Sequence, residues 1–179
     1  MRKLSIFLFA VIALMACSES SETYQVQQVS LKTPIDSLNY VDGYCVALSI
    51  LRGDFNNSPE AVTDFVNALE AAYNGAEEVG NYAHLDSIYA QKAFQIGHTI
   101  REHERGSGLM GFNGLETDFD LIKMGFINGL YGDTTNIAPD AAFVYINAEI
   151  AKLAEAQYVA DSIAAAEAAT AAMEAQEEL

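Results

Sequence analysis

The chain of 179 residues carries 25 acidic side chains against 9 lysines and arginines, a formal net charge of −16. That balance repels phosphate backbones and anionic headgroups, and so excludes binding of nucleic acid or of a membrane surface through a basic patch. Half of the residues are apolar and only Pro34, Pro59 and Pro139 are proline, which suits one domain with a real core, built from long helices with little or no sheet.

Residues 1–16 open with Arg2 and Lys3, run through the apolar stretch from Ile6 to Leu14, and end in small residues before Cys17. The stretch is too short to span a bilayer as a helix, so it reads as a secretory signal peptide. Leu14-Met15-Ala16-Cys17 resembles the lipobox of bacterial lipoproteins, which implies cleavage before Cys17, acylation of that cysteine and a lipid anchor in the membrane. Residues 17–33 lack apolar periodicity and are expected to form a polar tether. The cluster Ser18-Glu19-Ser20-Ser21-Glu22 resembles the acidic export tag of some Gram-negative lipoproteins, implying an outer-membrane location facing the periplasm or the cell surface. With Cys17 acylated, Cys45 has no disulfide partner and is expected to be a buried small hydrophobe.

Residues 34–135 read as a duplicated helical domain. A first helix is expected from Asp36, as N-cap, to about Leu51, with Leu38, Val41, Cys45, Leu48 and Leu51 on one face. Gly43 inside it costs about 1 kcal/mol relative to alanine and marks the close approach of another backbone. Ser58-Pro59-Glu60 starts a second helix with a cap, a proline at the first helical position and an acidic first turn. Val62, Phe65, Val66 and Leu69 form its apolar face, and Asn74-Gly75 closes it. A third helix is predicted from about Leu85 to Glu104, burying Ile88, Ala93, Ile96, Gly97 and Ile100. A fourth starts near Thr117 or Asp118 and buries Phe119, Ile122, Phe126 and Leu130. Phe126-Ile127-Asn128-Gly129-Leu130 aligns with Phe65-Val66-Asn67-Ala68-Leu69, and Phe94-x-x-Gly97 repeats Tyr40-x-x-Gly43. Neither helix–loop–helix unit can bury its faces alone, so the two repeats should pack together as a small all-α bundle.

Residues 136–179 read as a long C-terminal helix opened by Pro139-Asp140. Phe143, Ile146, Ile150 and Leu153 form its packed stripe; Val159, Ile163, Ala166, Thr170 and Met173 continue at alternating spacings of four and three, as in a weak coiled-coil seam. No base follows Lys152, so the acids of the last turns oppose the helix dipole and should fray without a partner.

Taken together, Leu38-Asn39-Tyr40-Val41-Asp42-Gly43, Phe94-Gln95-Ile96-Gly97, Gly125-Phe126-Ile127-Asn128-Gly129-Leu130-Tyr131-Gly132 and the Pro139 helix resemble the N-terminal domain of bacterial FKBP-type peptidyl-prolyl isomerases over about residues 34 to 155. The resemblance implies an all-α domain that dimerises by intertwining helices, ends in a long helix and holds unfolded chains without catalysis. After Leu153 only Ala/Glu-rich helix follows, so the β-sheet domain that performs isomerisation is not expected here and no active-site residue carries over. The implied role is chaperone-like or scaffolding in envelope protein folding, as a homodimer binding an unfolded or partner polypeptide. A surface lipoprotein that binds a small ligand or a partner protein is the alternative.

Chemistry-bearing residues are sparse. His98 and Glu102 stand four apart on one helix face, a spacing metal sites use, but without a second ligand pair they read as solvated surface. The loop from Gly106 to Gly114 lacks the Lys-Ser/Thr ending of a phosphate loop. Neither a metal nor a cofactor is expected. Twenty-two positions separate Gly43 from Phe65 and 29 separate Gly97 from Phe126, so this loop is what the second repeat adds. Its Leu109, Met110 and Phe112 are the candidates for adaptable contacts to a client, since methionine and glycine suit surfaces that re-pack.

Overall fold

The computed structural model describes residues 23–177, with side chains to Met173. The signal peptide, Cys17 and the first part of the tether lie outside the described residues. Five α-helices follow in order: α1 Pro34–Leu51, α2 Pro59–Tyr73, α3 Ser87–Glu102, α4 Phe119–Leu130 and α5 Pro139–Glu177. No strand occurs among the described residues, and no helix there is long and apolar enough to cross a membrane.

The helix starts follow local chemistry. Thr33, not Asp36, is the N-cap of α1: its hydroxyl accepts from Asp36 N–H at 3.1 Å, while the Asp36 carboxylate accepts from the N–H groups of Thr33 and Lys32 at 3.2 and 3.0 Å. This is a capping box with proline at the first helical position, where a missing N–H leaves nothing unpaired. The boundary thus sits three residues before the expected cap. Ser58 caps α2 through Ala61 N–H at 3.3 Å, and Asp118 caps α4 through Leu121 N–H at 3.0 Å.

Each helix pairs chiefly with a helix of the other repeat, α1 against α4 and α2 against α3. Glycines permit both crossings. A Cβ at Gly43 would sit 2.1 Å from the Ile122 carbonyl oxygen, one at Gly125 2.1 Å from that of Tyr40, and one at Gly97 2.2 Å from that of Leu69. The repeats therefore interlock in the order a pseudo-twofold requires. The crossings are not in equivalent register, because Leu69 aligns with Leu130 rather than with Ile122.

Burial corrects three of the expected faces. Tyr40 and Tyr44, placed beside the α1 stripe from sequence, are buried at its centre with rings 5.9 Å apart. Ile88 is 58% exposed, because α3 turns Tyr89, Ala93, Gly97 and Ile100 inward and Ile88 lies a further 100° round the helix. On α5 the deepest residue is Ala142; Ile150, expected in the packed stripe, is 38% exposed. Tyr89 meets Phe55 edge-on at 5.2 Å, and Phe55 meets Phe65 at 5.7 Å.

The second half of the expected tether is not free. Tyr24, Val29 and Leu31 pack against the core. The fully buried Asn128 donates to Gln27 C=O at 2.8 Å and accepts from Gln27 N–H at 2.9 Å. Tyr24 donates its hydroxyl to Glu70 at 2.9 Å and accepts from the Tyr131 hydroxyl at its carbonyl at 2.8 Å. Residues 24–31 form a strap over α2 and α4, with polar side chains outward and the backbone satisfied by buried side chains, a pattern that lacks helical period and so resembles a linker in sequence.

Candidate functional site

The main apolar hollow lies where α1, α3 and α4 converge under the Gly-rich loop. It has a volume of about 580 Å³. Val46 comes from α1, Ile96 and Ile100 from α3, Ile122 and Phe126 from α4, Met110 from the loop and Ile150 from α5. Five polar groups interrupt this lining: Asp42 on α1, and Lys92, Gln95, Thr99 and His103 on the α3 side.

Asp42 is half-buried, and burial alone pushes its carboxyl up to about 6. Among the described residues no cation or hydrogen-bond donor lies against it. Its place follows from α1: Leu38, Cys45 and Val46, at four before and three and four after, share its face, so a charge sits where the helix is otherwise apolar. His103 is also held below its ordinary value by burial. Lys92 is exposed, its ammonium 5.1 Å from the Tyr89 ring. Cys45, buried one turn along from Asp42, has its thiol pushed up to about 11, first by burial and then by the Asp42 charge, which keeps it out of thiolate chemistry.

The loop over the hollow is pinned rather than mobile in design. His103–Ser107 forms a wide helical turn and Leu109–Gly111 a single tight turn. Leu109 is fully buried and its N–H donates to Leu115 C=O at 3.1 Å. Leu109 is thus a plug holding the loop down, which corrects its candidacy as a client contact. Met110 adopts φ 53° and ψ 20°, a left-handed conformation that a side chain rarely takes, and reaches the hollow. Such strain persists only where the surroundings enforce it and clusters at binding sites. Phe112 faces a separate hollow of about 310 Å³, against Leu153, Ala156 and Ala160 of α5. Of the three loop residues chosen from sequence, one therefore lines the main hollow, one plugs the core and one meets the long helix.

A second cleft, of about 470 Å³, is acidic and lined by Glu70, Glu104, Glu116, Asp118 and Asp120. Several of these groups already have structural partners: Lys123 bridges Glu70 at 2.8 Å and Asp120 at 3.3 Å, and Asp118 caps α4. His98 packs its ring edge-on to Phe94 at 4.8 Å. Among the described residues no three His, Cys, Asp or Glu side chains come together as a metal site.

Asp42 was the functional candidate that sequence reasoning passed over. The available signal was an acid bracketed by apolar residues at helical spacing. No protein-family profile, curated protein or solved structure matches the chain.

Proposed function

We propose that the chain is a non-catalytic, membrane-tethered helical module that binds exposed apolar segments of unfolded or partner polypeptides in the cell envelope. The observation that carries this reading is the hollow under the loop: an apolar concavity on an otherwise strongly acidic domain, roofed by a strained methionine. Apolar concavities of this kind serve as binding sites, and methionine adapts to varied side chains. The negative surface keeps a complex with a sticky client in solution. The lipid on Cys17 holds the module at the outer membrane, and the long α5 presents an exposed apolar edge to a second copy. The resemblance to the isomerase-associated domain points to the same chaperone-like or scaffolding role.

The test is aggregation of a denatured client protein, followed by light scattering, with the full chain and with Ile96→Glu. The full chain suppresses aggregation and the variant loses suppression at an unchanged melting temperature. A full chain without effect on aggregation overturns the reading. The volume of the hollow also falls within the range of small-molecule sites, so a small-ligand lipoprotein is the second reading; saturable binding of an apolar dye by a full chain that leaves client aggregation unchanged counts for it and against the first.

A further inference from the structure

We propose that the hollow selects segments in which a lysine or arginine sits among aliphatic residues, with Asp42 as the group that receives the cation. The inference rests on the polypeptide-binding reading and names the chemistry of its client. Asp42 stands on the wall beside Val46, Ile122 and Phe126, its own stretch of wall apolar, and no described side chain pairs with it. An unpaired anion in such a setting is an incomplete arrangement, because the charge has lost water without gaining a partner. A cation delivered on an aliphatic stem completes it. Lysine and arginine carry such stems, which lie along apolar walls while the head meets the acid.

The opposite assignment, an anionic client held by Lys92, is weaker. Lys92 is exposed, so its charge is already solvated, and exposed pairs change affinity by about fivefold at most. A charge-assisted hydrogen bond to a half-buried carboxylate is worth roughly ten- to a hundredfold. The field of the whole chain, with its formal charge of −16, draws the same sign of client toward the surface. Facing Asp42 across the hollow, α3 offers Lys92, the turn that follows it His103, α4 Ile122 and Phe126, the loop Met110 and α5 Ile150. His103 is the second group there that can titrate.

The experiment compares two labelled peptides in fluorescence anisotropy on the full chain: an aliphatic peptide with a central lysine, and its twin with norleucine in place of the lysine. At neutral pH the lysine peptide binds roughly tenfold or more tightly than its twin. In Asp42→Asn this preference vanishes, and the lysine peptide and its twin bind with equal affinity. In the wild-type chain the preference also shrinks as pH falls below about 6, where Asp42 takes up its proton; in the variant it has no such pH dependence, whereas an effect of His103 would persist. Equal binding of both peptides by the wild type, or a preference that survives Asp42→Asn, overturns the inference and leaves the groove reading standing. Failure of both peptides to bind overturns the groove reading and the inference with it.

Discussion

At the scale of single residues, Asp42 couples recognition to stability. Its carboxyl in the folded chain takes up a proton at about 6, against 3.8 for an ordinary aspartate. The folded state therefore holds that proton more tightly than the unfolded chain. Below about 3.8 both states are protonated and nothing is lost; between about 3.8 and 6 the unfolded chain ionises while the folded chain keeps its proton, so stability falls across that window, and above 6 the folded chain carries the unpaired anion at the full penalty. Asp42→Asn removes the penalty, and its gain at neutral pH is up to about 3 kcal/mol, a melting temperature higher by several degrees. Calorimetry at pH 7 and pH 4 checks the sign: the variant is the more stable at pH 7 and the two chains converge at pH 4. A residue that weakens the fold and lines its main apolar hollow fits a binding role better than a structural one. Sequence reasoning could not rank it above the other acids of the chain. The distinguishing fact is which elements close around it, and that is a property of the α1, α3 and α4 convergence.

At the scale of elements, helix existence and capping chemistry were largely legible, since caps, prolines and glycines act within a few residues. Helix faces were less so. α1 is buried almost all round, between α4 and α5, so its apolar stripe understated its burial; α3 has two competing apolar edges, and tertiary packing chose the one with Tyr89. The glycines mark crossings that can be tested directly. Gly43→Ala places a Cβ against a backbone carbonyl that cannot move without shifting α4, and about 3 kcal/mol or more of destabilisation in urea unfolding is expected. Gly106→Ala meets nothing within 4 Å at an extended φ of 175° and stays within about 0.5 kcal/mol of the parent. The strap was illegible because its anchors lie a hundred residues downstream. Asn128→Leu leaves Gln27 N–H without its acceptor and Gln27 C=O with only the 3.4 Å bond from Asn136, at a loss of about 2 kcal/mol, and limited proteolysis should then cleave between Thr23 and Thr33 first.

At the scale of the whole molecule, α5 divides in two. Its 39 residues span about 58 Å, and side-chain packing on the bundle core ends at Leu153. Beyond the Phe112 hollow, which reaches Asp161, every described side chain is exposed, Ile163 at 55% and Met173 at 68% among them. Alanine favours helix in this stretch by propensity, but about twenty residues without tertiary packing are marginal in water. Uncompensated acids at the C-terminal end weaken it further. The exposed Val159, Ile163 and Met173 keep the spacing of a seam, which a second copy would cover. Truncation after Asp161 separates the two halves. The bundle should melt within about 1 °C of the full chain, because no core contact is removed, while light scattering should record the mass of a monomer where the full chain has that of a dimer. A truncated chain that stays dimeric would place the interface on the bundle. In that case the seam is solvent-facing helix only, and Ile163→Glu would leave the mass of the full chain unchanged; a monomeric Ile163→Glu chain would instead confirm that a single buried apolar row holds the two copies together.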